Sequence, residues 1–264
     1  MRRRLAHKPK LRILSFGLLS VGACTGMSRQ HMDAMASIYY YQRRQKNSFG
    51  FDDGPRGQER VWAVKDALAS VNVLDPDGCN LVMDCLVFHE SFRKIMNDED
   101  VYCKHCGQHP QNIRRLLQHQ GGYTMKRFLE KYHAQFKALT DRLKEQRQAY
   151  ACGARQAVPE VVCVCVCKSG RDRSVGCATV LQCVFTGGGK WNVVVEHLCR
   201  SDWRPNEGCQ TNKCKSKAEH CAVCEQPKGS SSDVTLARGR FGKLAPGCWE
   251  PPEDGFSHPP LWRV

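Results

Sequence analysis

Four stretches of the chain carry apolar residues over the length of a strand with little polar interruption: 11–19 (LRILSFGLL), 80–88 (NLVMDCLVF), 161–167 (VVCVCVC) and 191–197 (WNVVVEH). Runs of that length predict strands; 80–88 reads as a buried one, and 161–167, without polar alternation, fits a strand covered on both faces, as in a parallel sheet. Between them the apolar spacing changes to that of a helix. Residues 59–70 place Val61, Trp62, Val64 and Leu68 at near-helical intervals, and 111–118 predicts a short helix. Residues 123–150 carry a stripe of Phe128, Tyr132, Phe136, Leu139 and Leu143 opposite a face rich in Lys and Arg, the pattern of one long amphipathic helix. Residues 174–185 (SVGCATVLQCVF) predict a helix with Ser174 as its cap and Gly187-Gly188-Gly189 beyond its end. Residues 28–57, polar and ending in FDDGPRG, read as a long loop or insertion, and Pro76-Asp77-Gly78 as a turn.

This order predicts an α/β fold: a mostly parallel sheet flanked by helices, with one β-α-β unit over 161–197 whose crossover is expected to be right-handed. The organisation expected along the chain is a first strand and a helix-containing insertion in 1–79, the α/β domain in 80–208, a Cys-rich segment in 209–224 and a disordered tail in 225–264. That tail is dominated by Gly, Pro, Ser and charge.

A formal net charge of +14 favours acidic partners, nucleic acid or phosphorylated ligands among them; a basic, solvated surface is the plain alternative. Seventeen cysteines would suggest a disulfide framework in a secreted chain. Several here sit inside apolar runs, where they behave as small hydrophobes, so a reducing, cytoplasmic setting with free thiols is expected. The start, with a basic head, a short apolar run and Val21-Gly22-Ala23-Cys24, has the outline of a targeting segment. The run is too short and too broken by Gly to span a membrane, and a first strand is the favoured reading.

The chemistry concentrates after the third apolar run, in Cys167-Lys168-Ser169-Gly170-Arg171-Asp172-Arg173-Ser174. A loop between the carboxyl end of a buried strand and the start of a helix presents free amides and the positive end of the helix dipole. Gly170 lets backbone approach a ligand, and Arg173 offers two donors to one phosphate. Cys167, Lys168, Ser169, Gly170, Arg171, Arg173 and Ser174 are the candidate ligand-binding residues. A Cys followed six residues later by Arg and then Ser is also the arrangement of cysteine-dependent phosphatases. In that reading Cys167 is a nucleophile made reactive by a positive field, Arg173 the clamp and Asp172 the acid. An ordinary β–α turn with solvated charges is the alternative to both.

Over a longer span the chain resembles the C-terminal domain of RapZ, the bacterial RNase adaptor protein. The likeness is carried by Leu14-Ser15-Phe16-Gly17 near the start, Asp84 in LVMDCLVF, the stretch HPQNIRRLLQHQGG before the long helix, and a loop of the type Cys-x-x-Gly-x-His-Arg-Ser matched at Cys167, Gly170, Arg173 and Ser174. It covers roughly 80–200 and the first strand. The resemblance implies a domain that binds RNA and senses an amino-sugar phosphate without hydrolysing it, with Asp84 near the ligand. This chain departs from the pattern in having Asp172 in place of the loop histidine and Leu86 in place of an arginine. Nor does it contain a nucleotide-binding domain: Gly187-Gly188-Gly189-Lys190 is followed by Trp191, not the hydroxyl residue of a Walker loop.

Two cysteine groups are candidate zinc ligands. Cys209, Cys214, Cys221 and Cys224, with His220 nearby, supply enough donors for a tetrahedral site, and Cys103 and Cys106, with His105 and His109, supply half of one. Trp203 beside Arg204 is an aromatic and cation pair suited to stacking on an RNA base, or to packing under a loop. His197, at a strand end, is expected to be a structural histidine. Three functions follow as expectations: a non-catalytic domain binding a sugar phosphate or an RNA backbone, a cysteine phosphatase, or a zinc-stabilised interaction module.

Overall fold

The computed structural model describes residues 8–19, 26–44, 55–88, 106–108, 110–119, 123–155, 158–187 and 189–200. The expected Cys-rich segment and tail, together with Trp203, Arg204, Cys103, His105 and His109, lie outside the described residues. Four parallel strands form one sheet: β1 (Lys10–Gly17), β2 (Cys79–Asp84), β3 (Glu160–Cys167) and β4 (Asn192–His197), in the order β2-β3-β1-β4. The α/β architecture with a parallel sheet is thus the one expected. β1 pairs on both sides, with Gly17 level with Cys167 on β3 and Ser15 level with His197 on β4. Asp84, at the end of β2, is level with Val166.

Five helices among the described residues cover the sheet: α1 (Arg29–Arg44), α2 (Pro55–Ser70), α3 (Pro110–Gln118), α4 (Tyr123–Ala151) and α5 (Arg173–Gly187). The run VVCVCVC shows how the two faces are filled. Val162, Val164 and Val166 join Leu14, Phe16, Val82 and the buried residues of α1 and α2 in one core. Cys163, Cys165 and Cys167 point the other way, into a core shared with α3, α4 and α5. Side chains alternate along a strand, so Val162, Val164 and Val166 fill one face of β3, and three thiols follow Val161 on the other. Aromatic contacts tie the second core together. Phe88 lies 5.2 Å from Phe128, and Phe136 lies 5.2 Å from Phe185 and 5.8 Å from Trp191.

Three expectations need correction. Residues 29–44 are a helix, not part of a long loop: Met35 and Tyr39, four apart, are buried, with Met32 and Ile38 packed beside them. The stripe is narrow and set among Gln and Arg, so it falls below what a search for a broad apolar face detects. Trp62 is not on the buried side of α2; it is 68% exposed, while Val64, Ala67 and Leu68 face the core. The apolar run 80–88 is a strand only to Asp84 and then tightens into a 3-10 turn, Cys85–Phe88. The Asp84 carboxylate accepts from the Leu86 amide at 2.8 Å, which bends the chain there. Among the described residues no helix is long and apolar enough to cross a membrane.

Candidate phosphate-binding site

The chain leaves β1 toward the α1–α2 face and leaves β3 toward α5 on the other. The carboxyl ends of these neighbouring strands therefore mark the point where the connections diverge, the usual ligand crevice of such sheets. The loop 168–172 lies there. The Leu18 amide donates to the Cys167 carbonyl and the Leu19 amide to the Lys168 carbonyl, both at 2.9 Å, so the end of β1 runs alongside the loop. A side chain on Gly17 would meet the Ser169 carbonyl carbon at 2.4 Å; only glycine permits this approach. Gly170 adopts φ +66°, and its Cα faces Cys199 and the Gly17 amide. Among the described residues, no backbone carbonyl accepts from the amides of Lys168, Ser169 or Gly170.

Helix α5 begins at Arg173, which puts Asp172 at the cap position; the Asp172 carbonyl accepts the first helical bond, from the Gly176 amide at 2.8 Å. Ser174 is therefore not the cap. It is fully buried, and its Oγ lies 3.1 Å from Cys167 Sγ. Asp172 is buried, with Arg171 Nε donating to its carboxylate at 3.3 Å. Gly107 holds the loop from the other side: its amide donates to the Arg171 carbonyl at 2.9 Å, and a Cβ there would overlap the Asp172 carbonyl oxygen. Lys168 is exposed, with its ammonium 5.5 Å from the centre of the Tyr39 ring.

Arg173 is 8% exposed, and its Nη1 is buried without a hydrogen-bond partner. An unsatisfied donor on a buried cation is costly, so this nitrogen is an acceptor's natural position. The guanidinium also acts on a cluster of buried thiols that sequence reasoning missed. Burial pushes the Cys85 thiol up and Asp84 adds to that, but hydrogen bonds with the Cys165 and Cys177 thiols, helped by Arg173, outweigh them and bring it to about 6. The thiols of those two partners are raised, Cys165 by its bond to Cys85 and by burial, Cys177 by burial and its bond to Cys85. Of the three thiols, Cys85 is the one held below its ordinary value. The signal was present in the sequence as Cys163, Cys165 and Cys167 at alternate positions of β3, but nothing in the sequence placed Cys85 and Cys177 against them.

Asp84 belongs to the same end of the sheet. Its amide donates to Tyr132 Oη at 2.7 Å, and burial together with the Asp84 charge raises the Tyr132 hydroxyl well above its ordinary value. His197 is held on both nitrogens: the Gln108 amide nitrogen and His197 Nε2 are 2.8 Å apart, and Ser15 Oγ lies 2.8 Å from Nδ1. A Gln108 N–H donating to Nε2 leaves Nδ1–H to donate to Ser15. That is the structural role expected of this histidine. Among the described residues no group of three or more His, Cys, Asp and Glu side chains is placed to hold a metal ion, and Cys209, Cys214, Cys221 and Cys224 lie outside them.

The geometry brings Cys167, Lys168, Ser169, Gly170, Arg171, Arg173 and Ser174 together on one loop and helix start, with Asp84 on the neighbouring strand. No protein-family model matches the chain, and neither does any curated protein or solved structure compared with it.

Proposed function

We propose that this chain is a domain of the RapZ C-terminal type that binds a phosphorylated ligand, a sugar phosphate or the backbone of RNA, without turning it over. The observation that carries the reading is the buried, unpaired Nη1 of Arg173 at the amino end of α5, beside a loop whose first three amides donate to no described backbone carbonyl. A guanidinium and a helix start together favour an oxyanion over a neutral ligand. Lys168 and the basic residues of α4 extend the positive field along which RNA would lie.

One contact favours a phosphatase instead: the 3.1 Å approach of Ser174 Oγ to Cys167 Sγ, suited to stabilising a thiolate. Against it, Cys167 is 1% exposed, and the proposed acid, Asp172, sits at the helix cap against Arg171. Purified protein offered an aryl phosphate should show no turnover above that of Cys167→Ser. It should be retained on RNA, with retention falling steeply as salt rises. Turnover that Cys167→Ser abolishes would replace the binding reading with the catalytic one.

A further inference from the structure

At the other end of the sheet, on the α1–α2 face, a cavity of about 360 Å3 opens between the starts of β1, β2 and β3 and the turn after α2. It is of the size that holds a small organic molecule. Among the described residues, three buried side-chain atoms without a hydrogen-bond partner belong to residues lining this one cavity: Arg12 Nε, Arg155 Nε and Asn80 Oδ1. The rest of each side chain is fixed. Arg12 Nη2 donates to the Val73 carbonyl at 2.6 Å and pairs with Glu160 at 2.9 Å. Arg155 Nη2 pairs with Asp75, and Asn80 Nδ2 donates to the Asp75 carbonyl at 2.6 Å. Asn80 is 5% exposed and lies level with Val162, with Arg12 level with Val162 on its other side. Buried polar groups are normally satisfied, so three orphans around one space call for a common partner.

The structure assigns to this cavity a small aliphatic hydroxycarboxylate. The partner must offer acceptors to two guanidinium N–H groups and a donor to an amide oxygen. Charge narrows it further. Arg12, Arg155 and Lys10, which pairs with Glu160 at 2.7 Å, exceed Asp75 and Glu160 by one, which suits one negative charge and disfavours a phosphate dianion beside two carboxylates. The donor is a hydroxyl, because an ammonium would lie beside two guanidinium groups. Val73, Val158 and Val162 supply the wall for an aliphatic tail. The three orphan atoms are closed to solvent, so the ligand reaches them only when the bonds that hold Arg12, Arg155 and Asn80 give way and these side chains turn toward the cavity. This site is independent of the loop at the carboxyl end.

The test is titration of the full chain with α-hydroxyisocaproate, isocaproate and inorganic phosphate, following the arginine Nε–H resonances by NMR. The hydroxy acid should shift the Arg12 and Arg155 signals saturably and bind about tenfold more tightly than isocaproate, the loss expected for one unmade hydrogen bond. Phosphate should leave both signals in place. Asn80→Ala should bring the two carboxylates to equal affinity, and because the wild-type comparison needs no variant, misfolding of this one would not rescue the idea. Unmoved arginine signals, equal binding of the two acids by the wild type, or a stronger response to phosphate would each overturn the assignment.

Discussion

Arg173 combines two demands that pull against each other. It must remain charged while 8% exposed, and it must keep a donor available. The thiol cluster bears on the first demand: Arg173 is one of the groups that lower the Cys85 thiol, and a thiolate there would set negative charge against the guanidinium. Replacing Arg173 by Lys keeps the charge and loses the planar fork. Affinity for a phosphorylated ligand should fall by about tenfold or more while the melting temperature changes little, and a lysine variant that binds as tightly as wild type would remove the clamp from the proposal. Cys85 makes a separate prediction. Its thiol is lowered from the ordinary 9.0 to about 6 in the folded chain, so between those values the unfolded chain holds the extra proton. Stability from this group is then complete above about pH 9 and is lost as pH falls toward 6. Urea midpoints of wild type should drop over that window relative to those of Cys85→Ser. Parallel curves would show that Cys85 keeps its proton.

At the scale of elements, the site is assembled by close backbone contacts as much as by side chains. Gly17 on β1 and Gly107 before α3 each meet the loop where a Cβ would overlap its backbone. Gly107→Ala should therefore destabilise the fold by about 1–3 kcal/mol, measured by urea unfolding, and should weaken ligand binding by displacing the start of α5. This is also where sequence reading reached its limit. β1, β2 and β3 were legible because a strand buried on both faces is largely apolar, and β4, a half-buried edge strand, because of its run of three valines; the loop was legible because its Gly, Arg and Ser fall together between a strand and a helix pattern. The helix over 29–44 was not, because Met35 and Tyr39 form too thin a stripe among polar neighbours. Nor was the placement of Gly107, Cys85 and Cys177 around the loop, since those contacts join segments far apart in sequence. The cap of α5 was misplaced by two residues for a local reason: both Asp172 and Ser174 suit that position, and the bond between Ser174 and Cys167 decides between them.

Taken whole, the molecule is a thin sheet whose two covers are built by different crossovers. One cover comes from the β1–β2 connection, the other from the β2–β3 and β3–β4 connections. Both faces of β1 and both of its edges are thus occupied, and β4 holds one of those edges by itself. A chain ending at residue 190 would lose that edge partner together with the Leu198 amide bond to the Ser15 carbonyl. Cooperative melting should disappear and binding of a hydrophobic dye should rise; a sharp transition in the shortened chain would show that three strands suffice.

The central position of β1 bears on how the protein is made. A ribosome releases that strand before the other three, yet its two neighbours are β3 and β4, which emerge only after α1 to α4 have been synthesised. Until then an apolar ribbon with two open edges travels with the nascent polypeptide, exposed to pairing with other chains. Production of this protein should accordingly depend on early chaperone engagement.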